Sequence, residues 1–431
     1  MPPLSLRHRL MRALYTFTMY LVTPVIIYRL AARGLRLRGY FRRWLERFGY
    51  FTPPPLQGAV WVHAVSVGEV NAASPLVDVL RQRFADRPMV VTTVTPTGSD
   101  RVRQLWGDSV FHVYLPYDLP AAVRRFLGRV KPAIAVIMET EIWPNLYFEC
   151  DRLGIPIVLA NARLSEKSLR GYGPARPLAS EAVQRIRMVA AQSQADAERF
   201  RSLGVREAQL EIVGNLKFDL RLSEQIPQAA RERRAHWGTQ RPVWIAASTH
   251  EGEEWPVIEA HARILRRFPD ALLLVAPRHP ERFKPMTQLC RGHGFSTATR
   301  SEHQLPGVGI QCFVVDTLGE LLPFLACADV AFVGGSLDTI GGHNVLEPGA
   351  LGVPVLVGPH TFNFAEVTDL MLERGAALRV DDAMGLAAAV QGLFADQARR
   401  QRMGEAAREA VASARGAVQR TLGHIEAIIG D

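Results

Sequence analysis

From residue 59 onward the chain alternates short runs rich in β-branched residues with stretches of helical pattern, and this alternation constrains the fold more than any other feature. Strands that alternate with helices form βαβ units, which build parallel sheets. At 431 residues the chain is too long for one ordinary core and suits two α/β domains of roughly 200 residues each. We therefore predict two doubly wound domains with a cleft between them.

The predicted strands form two groups, separated by a polar, arginine-rich stretch. The first group comprises Val60–His63, Met89–Val94, Phe111–Leu115, Ala133–Met138, Pro156–Ala160, Met188–Ala191 and Glu211–Val213. The second comprises Val243–Ala247, Leu272–Ala276, Gln311–Val315, Val330–Val333 and Pro354–Val357, and helical sequence follows to the end. The predicted limits are 1–50 for a basic, apolar segment, 51–219 for the first domain, 220–241 for a linker and 242–431 for the second domain.

Polar motifs follow directly after these strands. They are HAVSVGE (63–69), TPTGSD (95–100), ETEIWPN (139–145), NARLS (161–165), GNLKFD (214–219), STHEGEE (248–254), PRHPERF (277–283) and GGSLDTIGGHN (334–344). In open parallel sheets, ligands bind in the crevice outside the carboxyl ends of the strands. The pattern therefore predicts one large site where the two domains face each other.

The excess positive charge lies at the N-terminus. Of the 51 basic and 42 acidic residues, ten arginines and a single acid, Glu46, fall within residues 1–50, so the remainder balance at 41 of each. A neutral body argues against nucleic-acid binding. A basic segment around the apolar run Ala13–Tyr28 is instead typical of attachment to anionic lipid.

The apolar run is shorter than the roughly 20 residues of an ordinary membrane span. An uncleaved anchor therefore either lies in the membrane interface or spans the bilayer with its arginines reaching back to the headgroups. The arginines that follow, between 29 and 47, predict that the body lies on the cytoplasmic side. A buried helix of the first domain is the alternative.

Histidine and cysteine spacing gives no sign of a metal site. The cysteines are widely scattered, form no CxxC pair and are interpreted as reduced, buried thiols: Cys150, Cys290, Cys312 and Cys327. His63, His250 and His343 lack the spacing of metal ligands. No DxD-like acidic pair lies in a loop suited to a magnesium diphosphate, so we expect a mechanism without metal.

Residues 331–364 contain two β-branched runs that each lead into a glycine-rich turn. Gly334, Gly335, Gly341 and Gly342 would let the backbone approach a ligand closely, and a helix predicted to start near His343 would direct its N–H groups at an anion. Asn344 and Glu347, one turn apart, would share a face, where the carboxylate suits ribose hydroxyls. The alternative is a glycine-rich loop that only turns the chain.

Two acidic motifs in the first half are candidates for catalysis. Glu69 follows Ser66 and opens an amphipathic helix, where it could act as a general base or as an ordinary first-turn acid. Glu139 and Glu141 follow a hydrophobic strand and would project to one face if the strand continued through them. One of this pair could instead be structural, bonded to backbone N–H groups ahead of Trp143.

Two cations are candidates for ligand binding. Lys217 in GNLKFD could meet a leaving phosphate or a sugar carboxylate, and a solvated surface lysine is its alternative. Arg278 in APRHPERF follows a buried strand, and its guanidinium group can bind phosphate oxygens in two places at once. His279 is left without a chemical role.

Ten of the motifs, taken in order, resemble those of the 3-deoxy-D-manno-octulosonic acid (Kdo) transferases of Gram-negative bacteria over nearly the full length. They are HAVSVGE, TPTGS, LPYDLP, METEIWPN, NARLS, LKFD, STHEGEE, PRHPERF, GGHNVLEP and GPHTFNF. The resemblance implies a GT-B glycosyltransferase fold of two Rossmann-like domains. It also implies CMP-Kdo bound by the C-terminal half, a lipid A precursor such as lipid IVA approaching the N-terminal half, and a place at the cytoplasmic face of the inner membrane.

Residue roles also follow from the resemblance. Glu69 matches the catalytic base, and Glu139 and Lys217 match residues that stabilise the transition state. The residues matching the CMP site are Pro277, Arg278, Leu318, Gly319, Glu320, Asn344, Val345, Leu346 and Glu347. Val345 departs from the family pattern, which has proline there. The expected partners are CMP-Kdo as co-substrate, the lipid A precursor and an anionic membrane surface, with no cofactor and no nucleic acid.

The expected reaction is an inverting transfer in which Glu69 takes the proton of an acceptor hydroxyl as it attacks the anomeric carbon of Kdo. Two other functions fit part of the pattern. One is a GT-B enzyme acting on another nucleotide sugar, such as a sugar epimerase. The other is a non-catalytic sensor of nucleotide sugars at the membrane surface.

Overall fold

The computed structural model of the protein describes residues 6–36, 38–219, 222, 226–302 and 305–430. The chain divides into two compact units, one made of residues 1–219 and 414–431 and the other of residues 220–413. Within the described residues each unit is built around one parallel sheet of seven strands. This confirms the predicted fold class of two doubly wound α/β domains, while the cleft between them stays a prediction.

The first sheet contains the strands β1 Ala59–His63, β2 Met89–Thr93, β3 Phe111–Tyr114, β4 Pro132–Met138, β5 Ile157–Ala162, β6 Met188–Ala191 and β7 Leu210–Ile212. Their order across the sheet is β3-β2-β1-β4-β5-β6-β7, and all pairs are parallel. The order turns back at β1, which pairs with both β2 and β4. This reversal opens a crevice at the carboxyl ends of the central strands.

The central strand β1 shows why these sequences form buried parallel strands. All five of its residues are buried, and they alternate between two cores. Val60 and Val62 pack into the core on one face of the sheet, and Ala59 and Trp61 pack into the core on the other. A strand covered on both faces needs apolar side chains in both directions, which explains the continuous hydrophobic run.

Helices cover both faces of the first sheet. They are α1 Leu6–Arg36, α2 Val67–Arg83, α3 Pro96–Trp106, α4 Pro120–Val130, α5 Pro144–Arg152, α6 Glu166–Gly171, α7 Arg176–Val183 and α8 Gln194–Leu203. Several begin with a side-chain cap, for example Ser66 before α2 and Thr95 before α3. The polar motifs thus occupy the turns between the strand ends and the helix starts.

The second sheet contains β8 Val243–Thr249, β9 Leu272–Pro277, β10 Thr297–Thr299, β11 Cys312–Val314, β12 Val330–Val333, β13 Val355–Val357 and β14 Ala377–Arg379. Their order is β10-β11-β9-β8-β12-β13-β14. The helices of this unit are α9 Ile226–Trp237, α10 Glu251–Leu265, α11 Phe283–Gly292, α12 Leu321–Leu325, α13 Leu346–Leu351, α14 Ala365–Glu373, α15 Ala383–Ala395 and α16 Gln397–Ser413. The short edge strands β10 and β14 were not predicted.

Two predicted domain limits need correction. The stretch 226–237, assigned to a linker at 220–241, is the helix α9, and its Ala230 and Trp237 pack in the core of the second unit. Residues 220, 221 and 223–225 of that predicted linker lie outside the described residues. The last helix, α17 Ala417–Gly430, packs its apolar face into the core of the first unit, so the limit of 242–431 for the second domain is wrong.

The N-terminal segment is a single helix of 31 residues, α1, followed by short turns that fold onto the first unit. Over Leu6–Leu35 this helix is long and apolar enough to cross a membrane, judged by length and composition alone. Arg43 bonds Glu46 and the carbonyl of His112, and Arg47 donates to the carbonyl of Val94. The second part of the predicted 1–50 anchor therefore belongs to the folded body.

Candidate active site

Glu69 lies in the first turn of α2, beside the carboxyl end of β1. Its carboxylate accepts hydrogen bonds from the N–H of Val65 at 2.9 Å and from the hydroxyl of Ser66 at 3.3 Å, while its own N–H donates to Ser66 Oγ at 3.5 Å. Ser66 thus caps α2, and Glu69 bonds the hydroxyl of this cap and the N–H of the residue before it. Glu69 is therefore a first-turn acid of α2, as its alternative interpretation states, and this position does not prevent it from acting as a base.

The environment of Glu69 gives its carboxyl an unusual proton affinity. Burial raises its pKa to about 7, the bond from Val65 opposes that rise, and the carboxylates of Glu139 and Glu141 add to it. A general base is most effective when its pKa lies close to the working pH. The pKa of Glu69 thus lies in the range that suits a general base.

Glu139 and Glu141 have separate roles because the strand ends before them. β4 ends at Met138, and Glu139 takes a left-handed backbone conformation with φ of 56°, so the two side chains do not share a strand face as predicted. Glu141 accepts from the indole N–H of Trp143 at 2.8 Å, which makes it the structural member of the pair. Its partner is thus an indole N–H rather than the predicted backbone N–H groups.

Lys217 is brought to the same edge as Glu139. Its Nζ lies 4.0 Å from Glu139 Oε1, and both side chains remain partly exposed. The turn Leu216–Phe218 that carries Lys217 is held by Asn161, whose Oδ1 accepts from the N–H of Leu216 at 2.9 Å. The structure therefore places Lys217 beside Glu139, whose charge also acts on Glu69, while the roles expected for the three residues stay predictions.

The second unit carries an unpaired cation at its own sheet edge. Arg278 directly follows β9, and its N–H donates to the carbonyl of Thr249 at 2.9 Å. Its side chain is exposed, and within the part of the chain that the structure describes no group is bonded to its guanidinium. Pro277 before it is buried, so it is the arginine that is available to a ligand.

The N–H groups at the first glycine pair are engaged by a carboxylate of the protein itself. The N–H groups of Gly335, Ser336 and Leu337 all donate to the carboxylate of Glu253, at 2.6, 2.8 and 2.8 Å. A Cβ on Gly334 would lie 2.6 Å from the carbonyl oxygen of Ser248, so glycine is needed there for close backbone packing. An internal carboxylate, not a phosphate, thus occupies these amides.

The helix after the second glycine pair starts later than predicted. α13 begins at Leu346 rather than near His343 and has only six residues. Asn344 accepts from the N–H of Leu346 at 3.0 Å and donates from Nδ2 to Glu347 Oε1 at 3.1 Å, which confirms that Asn344 and Glu347 share a face. Burial raises the pKa of Glu347, and the bond from Asn344 and the charge of Arg278 oppose that rise.

The remaining residues matched to the CMP site differ in their accessibility. Leu318 is 74% exposed, and Gly319 beside it has a left-handed φ of 84°. Glu320 is engaged by Arg300, whose Nε and Nη2 both donate to it at 3.0 Å. Val345 and Leu346 are almost fully buried, so their side chains are not available to a ligand. The polar side chains that remain for the predicted CMP site are therefore those of Arg278, Asn344 and Glu347.

Three polar residues of the site received no individual role from the sequence. Asn161 and Ser248, at the ends of β5 and β8, have left-handed φ values of 53° and 58°. Glu253 is completely buried in α10. The signal for Asn161 was its position after a strand, because asparagine tolerates this conformation. Glu253 forms a capping box with His250 at the start of α10, but its three loop partners lie more than 80 positions away, so the local pattern does not reveal them.

In the described ranges no group of three or more histidine, cysteine, aspartate or glutamate side chains is arranged to hold a metal ion. All four cysteines are buried and free. The expectation of a metal-free reaction stays a prediction.

Known proteins are similar to this chain in fold and in sequence. Residues 42–220 match the family model described as 3-deoxy-D-manno-octulosonic-acid transferase (kdotransferase). A glycosyltransferase of Rickettsia africae has a solved structure with a TM-score of 0.57 at 11% identity, covering 86% of this chain and 99% of that one. At that identity the likeness concerns the fold alone, and the fold is that of the GT-B glycosyltransferases.

Relatives in sequence identify the family within this class of glycosyltransferases. The 3-deoxy-D-manno-octulosonic acid transferase of Haemophilus influenzae is 40% identical over 415 residues, which cover 95% of this chain and 97% of the relative. That of Bordetella pertussis is 39% identical, with 97% and 100% covered. The chain belongs to the Kdo transferase family, and it is therefore an enzyme of the glycosyltransferase class.

Proposed function

We propose that the protein transfers Kdo from CMP-Kdo to a sugar hydroxyl of a lipid A precursor, with inversion at the anomeric carbon. The observation that carries this proposal is Glu69, a partly buried carboxylate with a pKa near 7 beside Glu139 and Lys217. A hydroxyl is a weak nucleophile at neutral pH, and a base of this strength removes its proton as the new bond forms. The names of the relatives support Kdo as the transferred sugar.

The proposed step is a direct displacement. The acceptor oxygen attacks the anomeric carbon from the face opposite CMP, the carbon–oxygen bond to phosphate breaks, and CMP leaves with the bonding electrons. Glu69 holds the proton lost by the acceptor. Lys217 can pair with the carboxylate of Kdo, and Arg278 can neutralise charge on the departing phosphate, so no metal is needed in this scheme.

The test is a transfer assay with CMP-Kdo and tetraacylated lipid A precursor, followed by mass spectrometry and NMR of the product. We expect lipid-linked Kdo whose anomeric configuration is opposite to that of the donor. Intact donor and acceptor after long incubation would overturn the proposal. Sugar interconversion without acceptor would indicate an epimerase, and CMP binding without turnover would indicate a sensor.

The proposed donor site rests on the free guanidinium of Arg278. Replacing Arg278 with methionine removes the charge and keeps most of the aliphatic length. A hydrogen bond to a charged group contributes about 1.5–3 kcal/mol, so we expect the KM for CMP-Kdo to rise about 10- to 100-fold. Steady-state kinetics and calorimetric titration with CMP measure the change.

The control for this variant is Arg291→Met in the same unit. Arg291 is exposed and pairs with Glu302, away from the proposed site. We expect its donor KM to stay within about twofold of the wild type, as for most surface substitutions. A donor KM for the Arg278 variant equal to that of this control would exclude Arg278 from phosphate binding.

We further propose that α1 attaches the enzyme to the cytoplasmic face of the inner membrane and lies in the interface. One side of α1 bonds the first unit through Arg12, Tyr15 and Thr16. The other side exposes a stripe of apolar residues at helical spacing, namely Leu10, Leu14, Phe17, Leu21, Val25 and Tyr28. A helix that is polar toward the body and apolar outward suits the plane of the membrane.

Liposome flotation tests this attachment. Replacing Leu14, Phe17 and Leu21 together with glutamate removes the centre of the stripe. Since burying one such side chain contributes about 1.5–3 kcal/mol, we expect partitioning onto phosphatidylglycerol vesicles to fall at least about tenfold. The control is Leu153→Glu, at an exposed apolar position elsewhere in the first unit. Unchanged partitioning of the triple variant would contradict the proposal.

A further inference from the structure

Glu253 is a buried carboxylate that binds backbone instead of a charged side chain. It is fully buried, and it accepts from three consecutive N–H groups, those of Gly335, Ser336 and Leu337. A fourth N–H, that of His250 at the cap of α10, donates to the same carboxylate at 3.3 Å. Successive backbone N–H groups that converge in this way form an anion-binding nest, and here the anion is part of the protein.

The loop held by Glu253 has further fixed points. Ser336 Oγ accepts from the N–H of Gly358 at 2.8 Å, and the Ser336 carbonyl accepts from the N–H of His360 at 2.9 Å. The N–H of Gly342 donates to the carbonyl of Gly335 at 2.6 Å, which closes the loop between the two glycine pairs. Through these bonds, the part of the loop that Glu253 holds is connected to the residues that precede Asn344.

A second connection runs from the cap of α10 to the far end of the loop. The Nε2 atoms of His250 and His343 lie 2.8 Å apart, and the two rings are nearly parallel, with an interplanar angle of 10°. His343 directly precedes Asn344, which bonds Glu347. The cap residues His250 and Glu253 therefore contact both ends of the loop that carries the donor-site side chains.

We propose that Glu253 is a positioning residue for donor binding. Its carboxylate acts as an internal anion that fixes residues 334–337, and with the His250–His343 contact it sets the positions of Asn344 and Glu347. It does not touch the ligand, because no part of it is exposed. The proposal rests on the proposed function, since it concerns the site assigned there to CMP.

Without this carboxylate the three N–H groups lose their acceptor, and buried N–H groups without partners are unfavourable. The loop would then rearrange, and the affinity for CMP-Kdo would fall while the affinity for the lipid A precursor stayed the same. Glutamine is not an adequate substitute, because its NH₂ group would face backbone N–H groups that are also donors. The effect of the substitution should therefore appear in the donor KM rather than in a general loss of activity.

The experiment compares Glu253→Gln and Glu253→Ala with Glu254→Gln in the full chain. Glu254 is the neighbouring buried glutamate of α10, and its carboxylate binds Arg282 instead of the loop. We expect both Glu253 variants to raise the donor KM at least about tenfold with the acceptor KM unchanged. The Glu254 variant should keep the donor KM within about twofold.

Chemical rescue separates positioning from general stability. The Ala variant leaves a space lined by the three N–H groups, which formate can enter as a replacement anion. We expect formate to restore most of the donor affinity in this variant, whereas chloride at equal ionic strength does not. The wild type and the Glu254 variant should not respond. Donor KM values unchanged by either Glu253 substitution, or a raised KM that formate leaves unaffected, would overturn the proposal.

Amide hydrogen exchange provides a readout that needs no substrate. In the wild type the N–H groups of Gly335, Ser336 and Leu337 should be protected, and this protection should be lost in the Glu253 variants while the strands of the second sheet keep theirs. Loss of protection throughout the second unit would make Glu253 a general structural residue and overturn the proposal. If the wild type transferred no Kdo, the proposed function would fail, whereas exchange and CMP titration would still test Glu253.

Discussion

Replacing Glu69 with glutamine is expected to lower kcat by about 10³-fold, within the range of proton-transfer catalysis. Glutamine keeps the size of the side chain and an oxygen that accepts from the N–H of Val65, so the first turn of α2 stays capped. It has no basic oxygen for the proton of the acceptor hydroxyl. CMP binding should be unchanged, because the donor-site residues lie in the other unit.

Ser66→Ala is the control that separates the loss of a general base from the loss of the helix cap. It removes the capping hydroxyl bonded to Glu69 but leaves the carboxylate in place. Loss of an N-cap destabilises a helix by about 0.5–2 kcal/mol, so this variant should unfold more easily while kcat falls less than about tenfold. A Glu69→Gln enzyme that keeps more than a tenth of the wild-type kcat would remove Glu69 as the base.

The same prediction extends to pH. Burial raises the pKa of Glu69 to about 7, and a protonated carboxyl accepts no proton. With donor and acceptor saturating, kcat should therefore fall about tenfold per pH unit below pH 7 and level off above it. A kcat that stays constant down to about pH 5 would contradict the assignment, since a carboxyl of ordinary pKa would still be ionised there.

The sheets could be predicted from sequence because their cause is local. Each strand of a parallel sheet is buried on both faces, so a run such as Ala59–His63 is recognisable without its partners. The edge strands β10 and β14 were missed because their sequences, Thr-Ala-Thr and Ala-Leu-Arg, contain none of the valine and isoleucine that mark the predicted strands. The same argument explains why the polar motifs could be placed at the strand ends.

The acidic residues could be located but not given their contacts. Glu139 and Glu141 were expected on one strand face, which assumed that β4 continued through them. The left-handed conformation at Glu139 ends the strand, and such a conformation is set by the surrounding turn rather than by the glutamate itself. Sequence patterns therefore indicated the motif, while the division into an ion-pairing and a structural carboxylate needed coordinates.

The glycine-rich segment shows most clearly what could not be predicted from the sequence. Glycines after a strand suggested a backbone that a phosphorylated ligand could approach, yet the N–H groups of Gly335, Ser336 and Leu337 are bonded to Glu253, from a helix more than 80 positions earlier. The return of α17 to the first unit is a similar case. Contacts between distant segments depend on the packed fold, and no local pattern encodes them.

The second large effect is expected at Asp118, whose replacement with alanine should lower the free energy of unfolding by about 2–4 kcal/mol. The buried carboxylate of Asp118 accepts from the N–H groups of Asn145 and Leu146 at the start of α5, and from the hydroxyl of Tyr15 in α1. Alanine leaves these donors without a partner, at about 1–3 kcal/mol for each buried group. Relief of the buried charge offsets part of that loss.

The pH dependence of this variant has a definite sign. Burial raises the pKa of Asp118 to about 6 from an ordinary 3.8, against the opposing bonds from Asn145, Leu146 and Tyr15. Between these values the unfolded chain ionises first, so the contribution of Asp118 to stability is greatest at low pH and declines as the pH rises through this window. The difference between wild type and variant should therefore be larger at pH 5 than at pH 7.

Denaturant unfolding at pH 5 and pH 7 measures these differences. The control is Asp86→Ala at an exposed position, whose free energy of unfolding should stay within about 0.5 kcal/mol of the wild type. Tyr15→Phe should lose about 1 kcal/mol, because only one bond is removed. An Asp118 variant as stable as the control would mean that this polar contact does not hold α1. If this loss of stability is observed, the contact also bears on how α1 lies at the membrane. A helix bonded to Asp118 through Tyr15 and to α5 through Arg12 has to break these bonds to cross a bilayer, whereas it keeps them when it lies in the interface.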